Sequence, residues 1–348
     1  MKKIITNTIL MLFFIFLATF FVEIFLRLFS PFHLAGNIKA YQYDQELGYR
    51  LKPKLHFFST TDYQQEFRTN QLGTINFQES FTDYDEIVFA LGDSYTQGTG
   101  LPGDSSYPFQ LDLKLNFHRG EYNKRYAIIN LGLAAFGGKQ AIAALHIFQN
   151  VITSPDYILY LGSNNDYQDD MLFESGYRHQ HLVDGNPNWG MMLKPIQWFA
   201  NGTEIGKRTK LAINRIRRGK TKRNNKKPSG GNRENNIAKL QEPIFSELLV
   251  ISNRMNAPLI VSWSDLPEKA EGSYLWLKEW ASERNVYFAD WHPKVLSVLE
   301  AIPGLPQKNN HTGGHHRAWI NSMIAESFAE QLVEATMQKR LTTKPGNR

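Results

Sequence analysis

The apolar run Ile87-Val88-Phe89-Ala90-Leu91 stops at Gly92-Asp93-Ser94 and presents a hydroxyl among glycines. A serine hydroxyl is a weak nucleophile until a base takes its proton and donors hold the oxyanion that forms. Two further apolar runs end in comparable polar stretches, Asn130-Leu131-Gly132 and Gly162-Ser163-Asn164-Asn165-Asp166. Their glycines and asparagines could supply backbone N–H groups and side-chain amides. The stretch NNHTGGHHRAW near the C-terminus supplies histidines, one of them a possible base. Taken alone, Ser94 is equally well an ordinary strand-to-helix turn with a capping serine.

The elements between these stretches alternate. EIVFAL, YAIINLG, DYILYLG, PLIVSW and VYFAD are short apolar runs that read as strands. YPFQLDLKLNFHR, GKQAIAALHIFQNVI, SYLWLKEWASER and HRAWINSMIAESFAEQLVEAT carry helical spacing, as does NIAKLQEPIFSELLVISNRM despite Pro243. The pattern predicts an α/β fold, a three-layer α/β/α sandwich around a mainly parallel, flavodoxin-like sheet. Ligands of such sheets bind outside the carboxyl ends of the strands, where the three polar stretches fall.

At these residues the sequence resembles the GDSL or SGNH hydrolase superfamily, over most of residues 66 to 335. GDSYTQG at 92 to 98 matches the first block, GSNND at 162 to 166 the third, and HTGGHHRAW the last more loosely. FRTNQLGTIN at 67 to 76 is similar to the segment before the first block in some membrane-anchored bacterial members. The resemblance implies that Ser94 is the nucleophile and His311 the general base that later protonates the leaving group. It implies oxyanion donors at the N–H of Ser94, at a backbone N–H of the second block, and at an asparagine side chain. In that second block the family's glycine falls at Ala135, with Gly132 as the nearest glycine, and Asn164 and Asn165 compete for the amide role. Asn309 stands near where the family carries an aspartate before its histidine, and Asp290 at the end of VYFAD is a more distant acid. His315 and His316 read as surface or capping residues at the start of the last helix, and His292 in DWHP is set aside.

Composition bounds the rest. The 348 residues contain no cysteine, which excludes disulfides and thiolate chemistry. No His/Asp/Glu spacing suggests a metal, and GLPGDSSYP lacks the Gly-Lys-Ser/Thr of a phosphate loop, so no cofactor is called for. The net charge of +6 is concentrated in residues 207–233, which hold 12 Lys or Arg and no acid. This segment reads as a mobile insertion, or as a contact with anionic lipid or an acidic polymer. Nucleic acid is disfavoured because no aromatic residues interleave with the basic ones.

The N-terminus places Lys2 and Lys3 before uncharged, mostly apolar residues from Ile4 to Val22. That length nearly crosses a bilayer, and Glu23 can pair with Arg27 one turn later. A cleaved signal peptide is the rival, but FHLAG puts a histidine where cleavage needs a small residue. The expected organisation is an anchor over 1–30, a membrane-proximal linker with a small extended element over 31–85, and a hydrolase-like domain over 86–338. The lysines place the N-terminus in the cytoplasm and the domain on the periplasmic side of the inner membrane. The resemblance implies a serine esterase or acyl transferase acting on an acylated envelope glycan or lipid. The alternative is a non-catalytic module that binds or helps assemble an envelope polysaccharide. Protease added to intact spheroplasts should digest the domain; a domain protected until the membrane is permeabilised would overturn this topology.

Overall fold

The computed structural model describes residues 2–30, 40–59, 65–76, 78–117, 124–176, 194–209, 212–213, 237–267, 271–308 and 314–343. It divides into two compact units, one of Met1–Lys39 with Asp184–Arg233 and one of Ala40–Val183 with Glu234–Arg348.

In the first unit, α1 (Lys2–Phe29) is a 28-residue helix with apolar side chains exposed along its whole length. By length and composition it suits a membrane span.

The second unit opens with two antiparallel hairpins. β1 (Tyr41–Asp44) pairs with β2 (Gly48–Leu51), and β3 (His56–Ser59) with β4 (Gln65–Arg68). The first is built into the body of the unit, since Tyr49 is buried and its hydroxyl donates to Ala134 O at 2.5 Å.

The sheet follows. It comprises β5 (Glu86–Gly92), β6 (Tyr126–Asn130), β7 (Tyr157–Gly162), β8 (Leu259–Trp263) and β9 (Tyr287–Phe288). All pairings are parallel and the order is β6-β5-β7-β8-β9. This is the doubly wound, flavodoxin-like order, in which the chain reverses its winding direction between β5 and β7. Every residue of β5 is buried because helices cover both faces, which explains its unbroken apolar run. Burying Phe89 or Leu91 contributes about 1.5–3 kcal/mol each.

After β5 comes the single turn α2 (Ser94–Gln97), then α3 (Tyr107–Phe117). Later come α4 (Gly138–Val151), α5 (Asp166–Glu174) and, in the first unit, α6 (Lys194–Gly202). They are followed by α7 (Ile237–Leu240), α8 (Glu242–Met255), α9 (Glu271–Glu283), α10 (His292–Ala301) and α11 (Ala318–Thr343). α3 and α10 pack with α11 on one face of the sheet, and α4 and α9 pack with α8 on the other. The helix expected to run through Pro243 is two helices, with the proline in the first turn of α8, where its missing N–H costs no bond.

The turn after β5 packs against the end of β6 at Gly132. A Cβ there would collide with the Thr96 side chain and come 2.7 Å from Gln97 N. Gly132→Ala should therefore destabilise this unit by about 1–3 kcal/mol, as overpacking does. Thermal unfolding checks this, and an unchanged Tm would show that the turn can move aside.

Candidate active site

Ser94 is the first residue of α2, directly beyond the carboxyl end of β5. Gly92 reaches that position with φ +148, and a side chain on it would meet Thr96 Oγ1 and Leu161 O. Asp93 caps the turn, its carboxylate accepting the Tyr95 N–H at 2.8 Å. Ser94 is thus presented by a turn whose start requires glycine and whose cap requires a short acid.

The imidazole that reaches Ser94 belongs to His315, whose Nε2 lies 2.7 Å from Ser94 Oγ. His311 and Asn309 lie outside the described residues. The expectation that His315 and His316 are surface or capping residues is corrected. His316 is only 1% exposed and its Nε2 donates to Ser264 O at 2.5 Å. Burial pushes its pKa down to about 3, so it stays neutral.

The neighbouring backbone explains this arrangement. Lys308 and His316 form an antiparallel bridge, and Arg317 N donates to Gln307 O at 3.0 Å. Successive side chains of extended backbone point in opposite directions, so His316 entering the core sends His315 the other way. The Tyr95 ring packs beside both imidazoles, at 5.1 and 4.8 Å between centroids.

The remaining candidate residues divide. Asn130 turns its amide inward: Nδ2 donates to Thr96 O and Oδ1 accepts the Gly132 N–H at 3.0 Å. The Gly132 N–H is therefore engaged by its own loop. Ala135 stands in the left-handed region at φ +61, a conformation that costs a non-glycine residue roughly 1–2 kcal/mol. The backbone required at this position is thus adopted without glycine. Asn164 donates its amide to Asp265 Oδ2, which also accepts the Trp263 indole N–H at 3.0 Å. Asp265, just past β8, was not singled out from sequence; only its place beyond a strand end could have flagged it.

Asp290 is occupied away from Ser94, accepting from Tyr274 and Lys278 at 2.6 Å each. Burial works to raise its pKa, but these two donors outweigh it and hold the group below its ordinary range. It does not orient the His315 ring. The His292 ring stacks on Tyr274, and its Nε2 lies 2.7 Å from Asp265 O. Burial lowers the His292 pKa to about 4.

Behind Ser94 lies a buried polar network. Ser163 Oγ is 2.8 Å from Asp93 Oδ2, 2.7 Å from Asn165 Oδ1 and 2.7 Å from Asp166 Oδ1. One hydroxyl proton is shared among three oxygens, two of them carboxylates facing each other across Ser163, an arrangement that favours a proton on one carboxyl. Burial pushes the Asp93 carboxyl up, but hydrogen bonds from Tyr95 N–H, the Ser163 hydroxyl and, at 3.1 Å, Asn165 Nδ2 work against that rise. Asp166 is pushed well above the usual range, first by burial and next by the Asp93 charge. Asp166 is therefore the carboxyl of the pair that holds a proton more readily, and Ser163 Oγ links it to Asp93. Asn165 is committed to this network, with Nδ2 also donating to Asp169 Oδ2 at 2.8 Å.

No family model and no curated protein matches the chain. Among solved structures, it is similar to a lipolytic G-D-S-L family protein from Veillonella parvula, at 11% identity and TM-score 0.40 over 70% of this chain and 96% of that one. It is also similar to the psychrotrophic esterase EstA from Pseudoalteromonas sp., at 11% identity and TM-score 0.40 over 72% and 99%. A third likeness is to a G-D-S-L family protein from Desulfitobacterium hafniense, at 11% identity and TM-score 0.39 over 71% and 99%. At this identity these are likenesses of overall fold.

The network yields a pH test. Asn at position 166 mimics the protonated acid, its amide donating to Ser163 Oγ and its oxygen accepting from Tyr160 OH and Ser163 N–H, as Asp166 Oδ2 does. The folded pKa of Asp166 lies above its ordinary value near 3.8, so the wild-type fold loses stability as pH rises beyond that value. Asp166→Asn lacks this loss, so its Tm advantage should grow from about pH 4 to about pH 8. A Tm lowered equally at every pH would show that Asp166 is ionised in the fold.

Proposed function

We propose that this chain is a membrane-anchored, extracytoplasmic serine esterase or acyl (acetyl) transferase acting on an envelope glycan or lipid ester. The observation that carries the reading is the 2.7 Å contact between His315 Nε2 and Ser94 Oγ at the carboxyl edge of the sheet. In this mechanism His315 takes the hydroxyl proton as Ser94 Oγ bonds to the acyl carbon, and the carbonyl electrons move onto oxygen. The oxyanion collapses, the ester C–O bond breaks, and His315 returns its proton to the departing alcohol. Water or a sugar hydroxyl then repeats the sequence on the acyl-enzyme, so hydrolysis and transfer share the first half. The apolar exposure of α1 supports the anchor, and the lysines before it support an outward-facing domain.

A second reading, a non-catalytic module that binds envelope polysaccharide, is favoured by two engaged donors. The Gly132 N–H is given to Asn130, and one of the two amide N–H groups of Asn164 to Asp265.

Fluorophosphonate labelling separates the two readings. The wild type should label and Ser94→Ala should not; absence of labelling in both would favour the binding module. On p-nitrophenyl acetate, His315→Ala should lower kcat by about 10²–10⁴-fold, the usual worth of a general base. His311→Ala should leave far more activity. The reverse order would return the base to His311.

A further inference from the structure

The first unit holds more than a helix. α6 (Lys194–Gly202) leads through Thr203 into a second helical stretch at 204–209. The junction is tight: Thr203 Oγ1 donates to Phe199 O at 2.8 Å and accepts the Gly206 N–H at 2.9 Å. A side chain on Gly206 would strike Phe199 O, so only glycine permits this approach.

This bent pair is fastened to the end of α1. Glu23 accepts the N–H of Glu204 at 2.8 Å on one carboxylate oxygen and that of Ile205 at 3.1 Å on the other. Arg27, paired with Glu23 at 2.7 Å, donates to Gly202 O at 2.8 Å. Arg208 donates to Ser30 O and to Ser30 Oγ.

These bonds set a depth. The uncharged run from Ile4 to Val22, at about 1.5 Å per residue, spans nearly the roughly 30 Å of a hydrocarbon layer. Glu23 then sits at its boundary with water, and whatever is bonded to Glu23 sits there too. At that level α6 exposes Ile196 (54%), Trp198 (69%) and Phe199 (41%). Lys207 and Arg208 follow at once and open the basic run of 207–233. Exposed apolar and aromatic side chains beside dense positive charge are the composition of a helix lying in an anionic lipid surface.

We propose that residues 194–209 form an interfacial platform, seated on the outer end of α1 and lying in the bilayer surface. Ile196, Trp198 and Phe199 enter the lipid, and Lys207 and Arg208 face anionic phospholipid headgroups. The proposal rests on reading α1 as a membrane anchor. It gives the insertion a task separate from chemistry at Ser94, that of adding a second, electrostatic attachment to the single span.

The absence of cysteine makes the test direct, because single cysteines can carry a nitroxide label. The full chain would be placed in nanodiscs of phosphatidylcholine and phosphatidylglycerol as Ile196→Cys, Phe199→Cys, Phe16→Cys (inside the anchor) and Glu300→Cys (in water). Labels at 196 and 199 should collide several-fold less with an aqueous nickel chelate than the label at 300, and several-fold more with oxygen. In phosphatidylcholine alone this protection should weaken. Adding Glu23→Ala should return 196 and 199 to water while 16 stays protected. If 196 and 199 are as accessible to nickel as 300 while 16 is protected, the platform is overturned and the anchor stands. If 16 is also accessible, both fall. Protection at 196 and 199 from nickel and oxygen alike would mean burial against protein, which also overturns the proposal.

Discussion

The Asp93 carboxyl group is the joint on which the carboxyl edge of the sheet around Ser94 depends. It caps the turn that presents Ser94 and accepts from Ser163 and Asn165 on the neighbouring strand end. A charge buried that deeply is tolerable only where donors surround it, and here a backbone N–H, a hydroxyl and an amide do so. The nucleophile's turn and the loop after β7 are therefore locked to one another through a single anion. This lock lies at the place where the chain reverses its winding direction, the position at which α/β sheets open a cleft.

The protons of that joint follow from counting. Two carboxyls share Ser163, and only one of them can stay ionised without like charges facing each other in a dry interior. Asp166 takes the neutral state, and the Tyr160 hydroxyl and Ser163 N–H both donate to it. Asn165, whose amide suits an oxyanion as well as Asn164 does, is used instead to hold this network in register.

On the far side of Ser94 the imidazole of His315 is placed by packing. His316 is buried against Ser264 O, and the bridge to Lys308 keeps the backbone extended beside it. His315 then has to face the other way, toward the serine. A neutral core histidine thus orients its neighbour toward Ser94, with Tyr95 packed beside both rings.

Much of this was legible in the chain. The all-buried β5, the alternation of strands and helices, and the glycines and short polar residues after each strand announce the sheet and its active edge, because periodicity and turn chemistry are local properties. The place of Ser94 at the end of a strand was readable for the same reason, since Gly-Asp-Ser marks the turn locally. Which histidine faces Ser94 was not readable. HTGGHH offers three within six residues, and the choice depends on a bridge between Lys308 and His316 and on a carbonyl more than fifty residues away in the chain. The same holds for the donors. Composition alone cannot show that Asn130 turns back to take the Gly132 N–H, or that Asp265 claims Asn164, since both contacts arise only once separate loops meet at the sheet edge. The basic insertion was legible as charge, but the attachment of the segment just before it, through Gly202, Glu204 and Ile205, to Glu23 and Arg27 joins residues some 180 positions apart, and only the folded chain brings them together.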